Sequence, residues 1–260
     1  MSIIQNFLQL KQTHGVSEDA PECIDIHAAV IKNKPLLKRV YGDWYRQIVA
    51  VKETVRSLHG EILELGSGGG FLKEFIPEAV TSDVCLRGDM DRVENAYQLS
   101  CPDDSVKLLC CISLINQLGQ VEKFFKEAER VLIRNGKLVI VDPYLSWFSR
   151  FIYKYLHHYR FNWDSKSWDF AESGRMTGND VTLSTKLFWR DRDVFIQRFP
   201  SLKIESITLH NFIAYYSSGG VSCRNLVPRF LTEAVMLLDK MARPFMRYLA
   251  CFQSVVLVKQ

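Results

Sequence analysis

An α/β fold, with a parallel sheet covered on both faces by helices, is predicted by three features of this 260-residue sequence. A short apolar run, Glu61-Ile-Leu-Glu-Leu65, ends in glycines, as a buried strand feeding a tight turn does. Further strand candidates follow over Val80–Val84, Val106–Ile112 and Lys137–Val141. Between the last two, Val121–Arg134 places Val121, Phe124, Phe125, Ala128, Val131 and Leu132 on one helical face. Strands alternating with helices argue for a parallel sheet.

The remaining elements follow in chain order. Residues 3–11 have the pattern of one or two amphipathic turns, and Thr13–Glu22 is polar. From Pro35 the period is helical, because Leu37, Tyr41, Trp44 and Ile48 recur at i, i+4, i+7 and i+11. Pro35 suits the first helical position, where its missing N–H costs nothing, and His59-Gly60 closes the segment. Asn135-Gly136 is expected to end the helix that starts at Val121, and Asp142-Pro143 to stop the next strand. Residues 144–170 are dense in aromatics, among them Trp147, Phe151, Tyr155, Trp163 and Trp168. Leu202–His210 and Phe252–Val258 read as strands, and Pro228–Arg243 as a helix with Leu231, Val235, Leu238 and Met241 on its apolar face.

Composition narrows the function. The chain is 47% hydrophobic and 24% charged, which excludes collagen-like and wholly disordered classes. Thirty-three basic against twenty-nine acidic residues leave +4, too little to argue for nucleic acid, and no contiguous basic stripe is present. No uncharged apolar run reaches the ~18 residues of a membrane span. Met1–Leu10 lacks a basic start and a small-residue cleavage site, so a cytoplasmic protein is expected. The seven cysteines show no CxxC spacing and read as reduced, buried thiols, so neither disulfides nor a metal site is expected.

The chemistry is concentrated in Glu64-Leu-Gly66-Ser-Gly68-Gly-Gly70. Glycines there let the backbone turn sharply and approach a ligand closely, at the carboxyl end of a strand where open α/β sheets bind ligands. A dinucleotide fingerprint would need a third glycine at position 71, which is Phe71, so a pyrophosphate cofactor is disfavoured. The spacing, an acid followed by GxGxG, resembles motif I of the class I S-adenosylmethionine-dependent methyltransferases. Asp83, 17 residues after Gly66, stands where that family places an acid on the ribose hydroxyls. Pro102-Asp-Asp-Ser-Val106 and Glu129–Leu138 resemble its segments around the fourth strand.

The resemblance implies a Rossmann-like seven-stranded sheet of order 3-2-1-4-5-7-6 with the last strand antiparallel, and an aromatic-rich cap. It divides a single domain into a helical cap over 1–59, a cofactor-binding core over 60–143, a cap insertion over 144–200, and C-terminal strands and helix over 201–260. It implies S-adenosylmethionine as cofactor, held by Glu64, Gly66, Ser67, Gly68, Gly70, Asp83, Asn95, Ala96 and Ile112. Asn95 stands where an acid usually accepts from the adenine amino group, and can accept through its carbonyl without charge. Only 12 residues separate Asp83 from Asn95, so the helix between strands two and three is expected to be short or absent. Asn116-Gln117 replaces a His-His pair found in relatives, but an activated sulfonium asks mainly for proximity and in-line orientation.

Candidate bases for an oxygen nucleophile are His157 and His158, ending a helical segment from Leu145, and Asp142 at the end of the fifth strand. Tyr41, Trp44 and Tyr45 are candidate substrate contacts. Ser217–Arg224 carries Gly219-Gly220, whose N–H groups could form a nest for an anion, with Arg224 adding a bidentate contact. The expected activity is methyl transfer to a small molecule, at a hydroxyl of a sugar or lipid-linked precursor. Aromatics and arginines suit an anionic or lipid-linked substrate, and peripheral membrane contact stays open. A catalytically impaired partner protein and a nicotinamide-dependent enzyme are the alternatives.

Overall fold

The computed structural model of the chain describes residues 10, 16–17, 19–20, 22–69, 71–85, 90–155, 161–171, 174 and 178–260. Helices α1 (Glu22–Asn33) and α2 (Pro35–Thr54) lead into β1 (Glu61–Leu65), β2 (Val80–Asp83), β3 (Arg92–Val93) and β4 (Val106–Ile112). Then come α3 (Val121–Val131), β5 (Leu132–Pro143), α4 (Trp147–Tyr155), α5 (Arg192–Arg198), β6 (Leu202–His210), α6 (Ile213–Ser218), α7 (Thr232–Met241) and β7 (Phe252–Lys259). The sheet has seven strands in the order β3-β2-β1-β4-β5-β7-β6. Neighbours from β3 through β5 pair in parallel, and β7 runs antiparallel to both β5 and β6. The order and the antiparallel strand are those the sequence resemblance implies.

Successive side chains of a strand point to opposite faces, and the central strands bury both. From β4, Leu109 and Cys111 join Phe124, Phe125 and Phe195 on one face, while Leu108 and Cys110 join Leu37, Tyr45 and Ile48 on the other. That two-sided burial is why these strands read as continuous apolar runs. Leu37, Trp44 and Ile48 of α2 are fully buried, as its spacing predicts. Pro35 opens the helix at its first turn. Leu183, Leu187, Phe188, Phe195 and Phe199 belong to the main core against β4 and β5. The second half of the segment expected as a cap insertion is thus a layer over the sheet.

Local readings differ from the structure in three places. Helix α3 stops at Val131, and Leu132 already pairs with Val106. The next register partner is Leu108 with Lys137, so residues 133–136 bulge out, with Asn135 at φ +65°. Asn135-Gly136 therefore shapes a strand irregularity, not the helix end. Helix α1 falls beyond the polar stretch and was not expected; Cys23, Ile24, Val30 and Ile31 are its buried side. Helix α7 is turned over. Only Val235 of its expected apolar face is buried, while Leu231, Leu238 and Met241 are exposed. Its inner side presents Asp239, whose carboxylate accepts the Phe212 and Ala214 amides at 3.1 Å each and so satisfies the start of α6.

Candidate functional site

At the carboxyl end of β1 the chain reverses through Gly66 (φ +65°) and Gly68 (φ +53°), in the left-handed region that side chains rarely adopt. The turn is stapled to β2. Ser67 donates its amide to the Ser82 carbonyl at 2.9 Å, its Oγ accepts the Ser82 amide at 3.0 Å, and Ser82 Oγ donates to the Glu64 carbonyl at 2.7 Å. Asp83, at the end of β2, accepts the Gly68 amide at 3.2 Å and the Val84 amide at 2.8 Å. A carboxylate is thereby held beside the glycine turn with lone pairs to spare. Among the described residues no helix lies between β2 and β3.

These groups open onto one cavity of about 750 Å³. Glu64, Gly66, Ser67, Gly68, Asp83, Asn95, Ala96 and Ile112 all line it; Gly70 lies outside the described residues. Glu64 is the group most changed by its surroundings. Burial, opposed in part by the Ser67 and Tyr45 hydroxyls, pushes its carboxyl up to about 8, and Oε2 has no hydrogen-bond partner. An orphaned, buried carboxyl oxygen beside a glycine turn is complementary to a cationic ligand group. The chain's acids and glycine turn therefore fit the sulfonium, ammonium and ribose of S-adenosylmethionine. Among the described residues no group of His, Cys, Asp and Glu could hold a metal ion.

The expected substrate and catalytic residues divide. Tyr41, Tyr45 and Arg224 line the cavity. Trp44 does not: it is 0% exposed, donates its indole N–H to Asn211 Oδ1 at 2.6 Å, and packs on Phe252 at 4.5 Å between ring centres. Trp44 precedes Tyr45 by one residue, and the ~100° that a helix turns per residue points it to the core. Asp142 is also corrected. It is wholly buried and off the cavity wall. Burial raises its carboxyl well above the usual carboxylate range, and the facing Ile115 and Asn116 amides only partly oppose this. Neither oxygen completes a hydrogen bond. Buried off the cavity wall, Asp142 does not meet a substrate held in the cavity. His157 and His158 lie outside the described residues.

The anion nest is corrected as well. Gly219 and Gly220 are left-handed, at φ +71° and +53°, but their amides serve the loop, donating to the Tyr216 carbonyl at 3.1 Å and Ser218 Oγ at 3.2 Å. What the loop offers is carbonyl oxygens, and they face inward. The Lys34 ammonium donates to those of Ser218 at 3.1 Å, Gly220 at 2.7 Å and Cys223. Burial lowers Lys34 to about 8.

Sequence reasoning missed several wall residues. Ile24, His27 and Ala28 come from α1, Tyr153 from α4, and Tyr215 and Tyr216 from α6. Among the described residues His27 is the one imidazole on the wall, with Nε2 3.4 Å from Cys23 Sγ. The spacing of Cys23, Ile24, Val30 and Ile31 carried a helical signal that could have found α1.

Residues 63–140 match the family model of a methyltransferase domain. No curated protein gives a significant match. Among solved structures, one provisionally named a sarcosine dimethylglycine methyltransferase, from Galdieria sulphuraria, is 11% identical. The alignment covers 86% of this chain and 88% of that one with a TM-score of 0.50, a likeness of fold. Geranyl diphosphate C-methyltransferase from Streptomyces coelicolor is 11% identical over 97% of this chain and 89% of that one, with a TM-score of 0.49. An S-adenosylmethionine-dependent methyltransferase from Thermotoga maritima is 14% identical over 86% and 99%, with a TM-score of 0.48. The nicotinamide alternative falls away with the domain match and the sheet order. Residues 63–140 are thus a methyltransferase domain, carried on the sheet order expected of the class I S-adenosylmethionine-dependent methyltransferases, and S-adenosylmethionine is the cofactor.

Proposed function

We propose that this methyltransferase acts on a hydroxyl of a small molecule, a sugar or lipid-linked precursor. The observation that supports this reading is the lining of the cavity. Asp83, Glu64 and Asn95 line it with the glycine turn, and Tyr41, Tyr153, Tyr215, Tyr216 and Phe252 add five aromatic faces beside a few polar groups such as Asn116 and Arg224. Aromatic walls with few polar groups suit an acceptor that is largely apolar.

The cofactor, when bound, supplies a methyl group on a positively charged sulfur. Asp83 accepts the ribose hydroxyls through charge-assisted hydrogen bonds. Glu64, once ionised, receives the cofactor ammonium. Asn95 Oδ1, which already accepts the Tyr97 amide at 2.9 Å, has a second lone pair for the adenine amino group. The aromatic wall aligns the acceptor and excludes water, which is most of what transfer from an activated sulfur requires. His27 takes the hydroxyl proton, and Arg224 binds an anionic group of the acceptor.

Labelled methyl transfer from S-adenosylmethionine to free and prenyl-linked sugars tests this reading. An O-methylated product is expected, and an N- or C-methylated one would refute the hydroxyl assignment. His27→Ala lowers kcat by ~10²–10⁴ with cofactor affinity intact if His27 is the base. A full loss in His157→Phe or His158→Phe, with His27→Ala active, would assign the base to that histidine instead.

A further inference from the structure

The outer surface of the C-terminal helical arm is apolar where a surface helix is ordinarily polar. In α7, Thr232, Val235 and Asp239 face the protein, while Leu237, Leu238 and Met241 (67% exposed) face outward. Phe230, just before the helix, is 82% exposed, and Phe245, just after it, is also exposed. Leu237 and Met241, four residues apart, fall along one line of α7. The short helix Met246–Leu249 packs against α4, which brings a second apolar row alongside. That row is Trp147 (77% exposed), Phe151 and Tyr155, each four residues from the next.

Basic side chains are interleaved with both rows. Arg150, Lys154, Arg229, Lys240, Arg243 and Arg247 are all exposed, whereas Glu233 is the one exposed acid in 144–155 and 228–249. Exposed apolar rows of this kind, joined through the short helix Met246–Leu249, mark an interaction surface. Exposed Phe, Leu and Trp ringed by Lys and Arg match the interfacial layer of an anionic bilayer, with rings at headgroup depth and cations on lipid phosphate. A second copy of the chain fits poorly, because a two-fold contact would set the same arginines against each other. The patch also adjoins the cavity. Ile152 and Tyr153, on the other side of α4, line it, as does exposed Leu226 just before the arm.

We propose that α4 and the α7 arm form a docking surface for an anionic lipid bilayer, holding the cavity beside the headgroup layer. The docking goes beyond methyl transfer and does not depend on which atom of the acceptor is methylated. The association proposed is peripheral; no helix among the described residues is long and apolar enough to cross a membrane.

The test is sedimentation of the full chain with vesicles of phosphatidylcholine alone or mixed in equal parts with phosphatidylglycerol. Binding is expected to the mixed vesicles, falling as salt screens the charges. It should come with a blue shift of tryptophan emission that Trp147→Phe removes. The pair Phe230→Ser with Met241→Ser should weaken binding about tenfold or more, and Arg243→Glu with Arg247→Glu should do the same for mixed vesicles alone. Cofactor affinity, measured on each variant, shows that the fold and the methyltransferase site persist. No binding to mixed vesicles, or equal binding to both compositions, overturns the proposal. So does a concentration-dependent dimer abolished by Phe230→Ser, since a second copy would then cover the patch.

Discussion

Replacing Glu64 by Gln should change how many protons leave the protein when S-adenosylmethionine binds. Burial raises the Glu64 carboxyl to about 8, so at pH 7 about nine-tenths of the cofactor-free protein carries a proton there. A cation arriving beside the unpartnered Oε2 favours the ionised form and expels that proton. The expected release attributable to Glu64 is about 0.9 proton at pH 7 and about 0.1 at pH 9. Ionising the group at pH 7 costs about 1.4 kcal/mol of binding energy, so affinity should rise up to about tenfold per pH unit and level off above 8. Titration calorimetry in buffers of different ionisation enthalpy counts the protons. The cofactor's own amine also titrates near this range, and Glu64→Gln removes only the protein's share. Equal counts in the two proteins would refute a protonated Glu64 acting as the ammonium's partner. The same shift predicts stability. Between about pH 4.5 and 8 the folded chain keeps the proton that the unfolded chain has lost. Stability of the cofactor-free protein therefore falls as pH rises across that window, by up to about 5 kcal/mol. Cofactor should restore it.

Two further outcomes concern single side chains. Asp83→Ala removes the charged acceptor beside the glycine turn, and charged hydrogen bonds contribute ~1.5–3 kcal/mol. Cofactor affinity by calorimetry should fall about tenfold or more, and an unchanged dissociation constant would place the ribose elsewhere. Lys186 and Asp180 form an ion pair at 2.9 Å with both side chains 1% exposed. Asp180→Ala strands the ammonium in the core and should cost about 3–5 kcal/mol in urea unfolding; a loss near zero would mean that water reaches Lys186.

What the sequence determined by itself is what local patterns carry. Strands β1, β4 and β5 were legible because burial on both faces leaves continuous apolar runs, whereas the two-residue β3 was not read. The glycine turn was legible because left-handed backbone and close ligand approach call for glycine at fixed offsets. Asp83 came from the resemblance, which places an acid at the end of the next strand, and it lines the cavity beside the glycine turn. Resemblance in register then supplied the strand order, which no local pattern encodes. The tertiary structure decided which side of each helix meets the core. The same apolar spacing in α7 suits burial or exposure, and Asp239, serving the amides that start α6, turned it outward. Trp44 and Tyr45 are adjacent in sequence, yet one packs on Phe252 and the other lines the cavity. The Gly219-Gly220 loop looked like an anion nest until Lys34, 184 residues before Ser218, met its carbonyl oxygens. Hydrogen-bond partners and burial at such separations depend on how the whole chain packs, and a short window of sequence contains only one side of each contact.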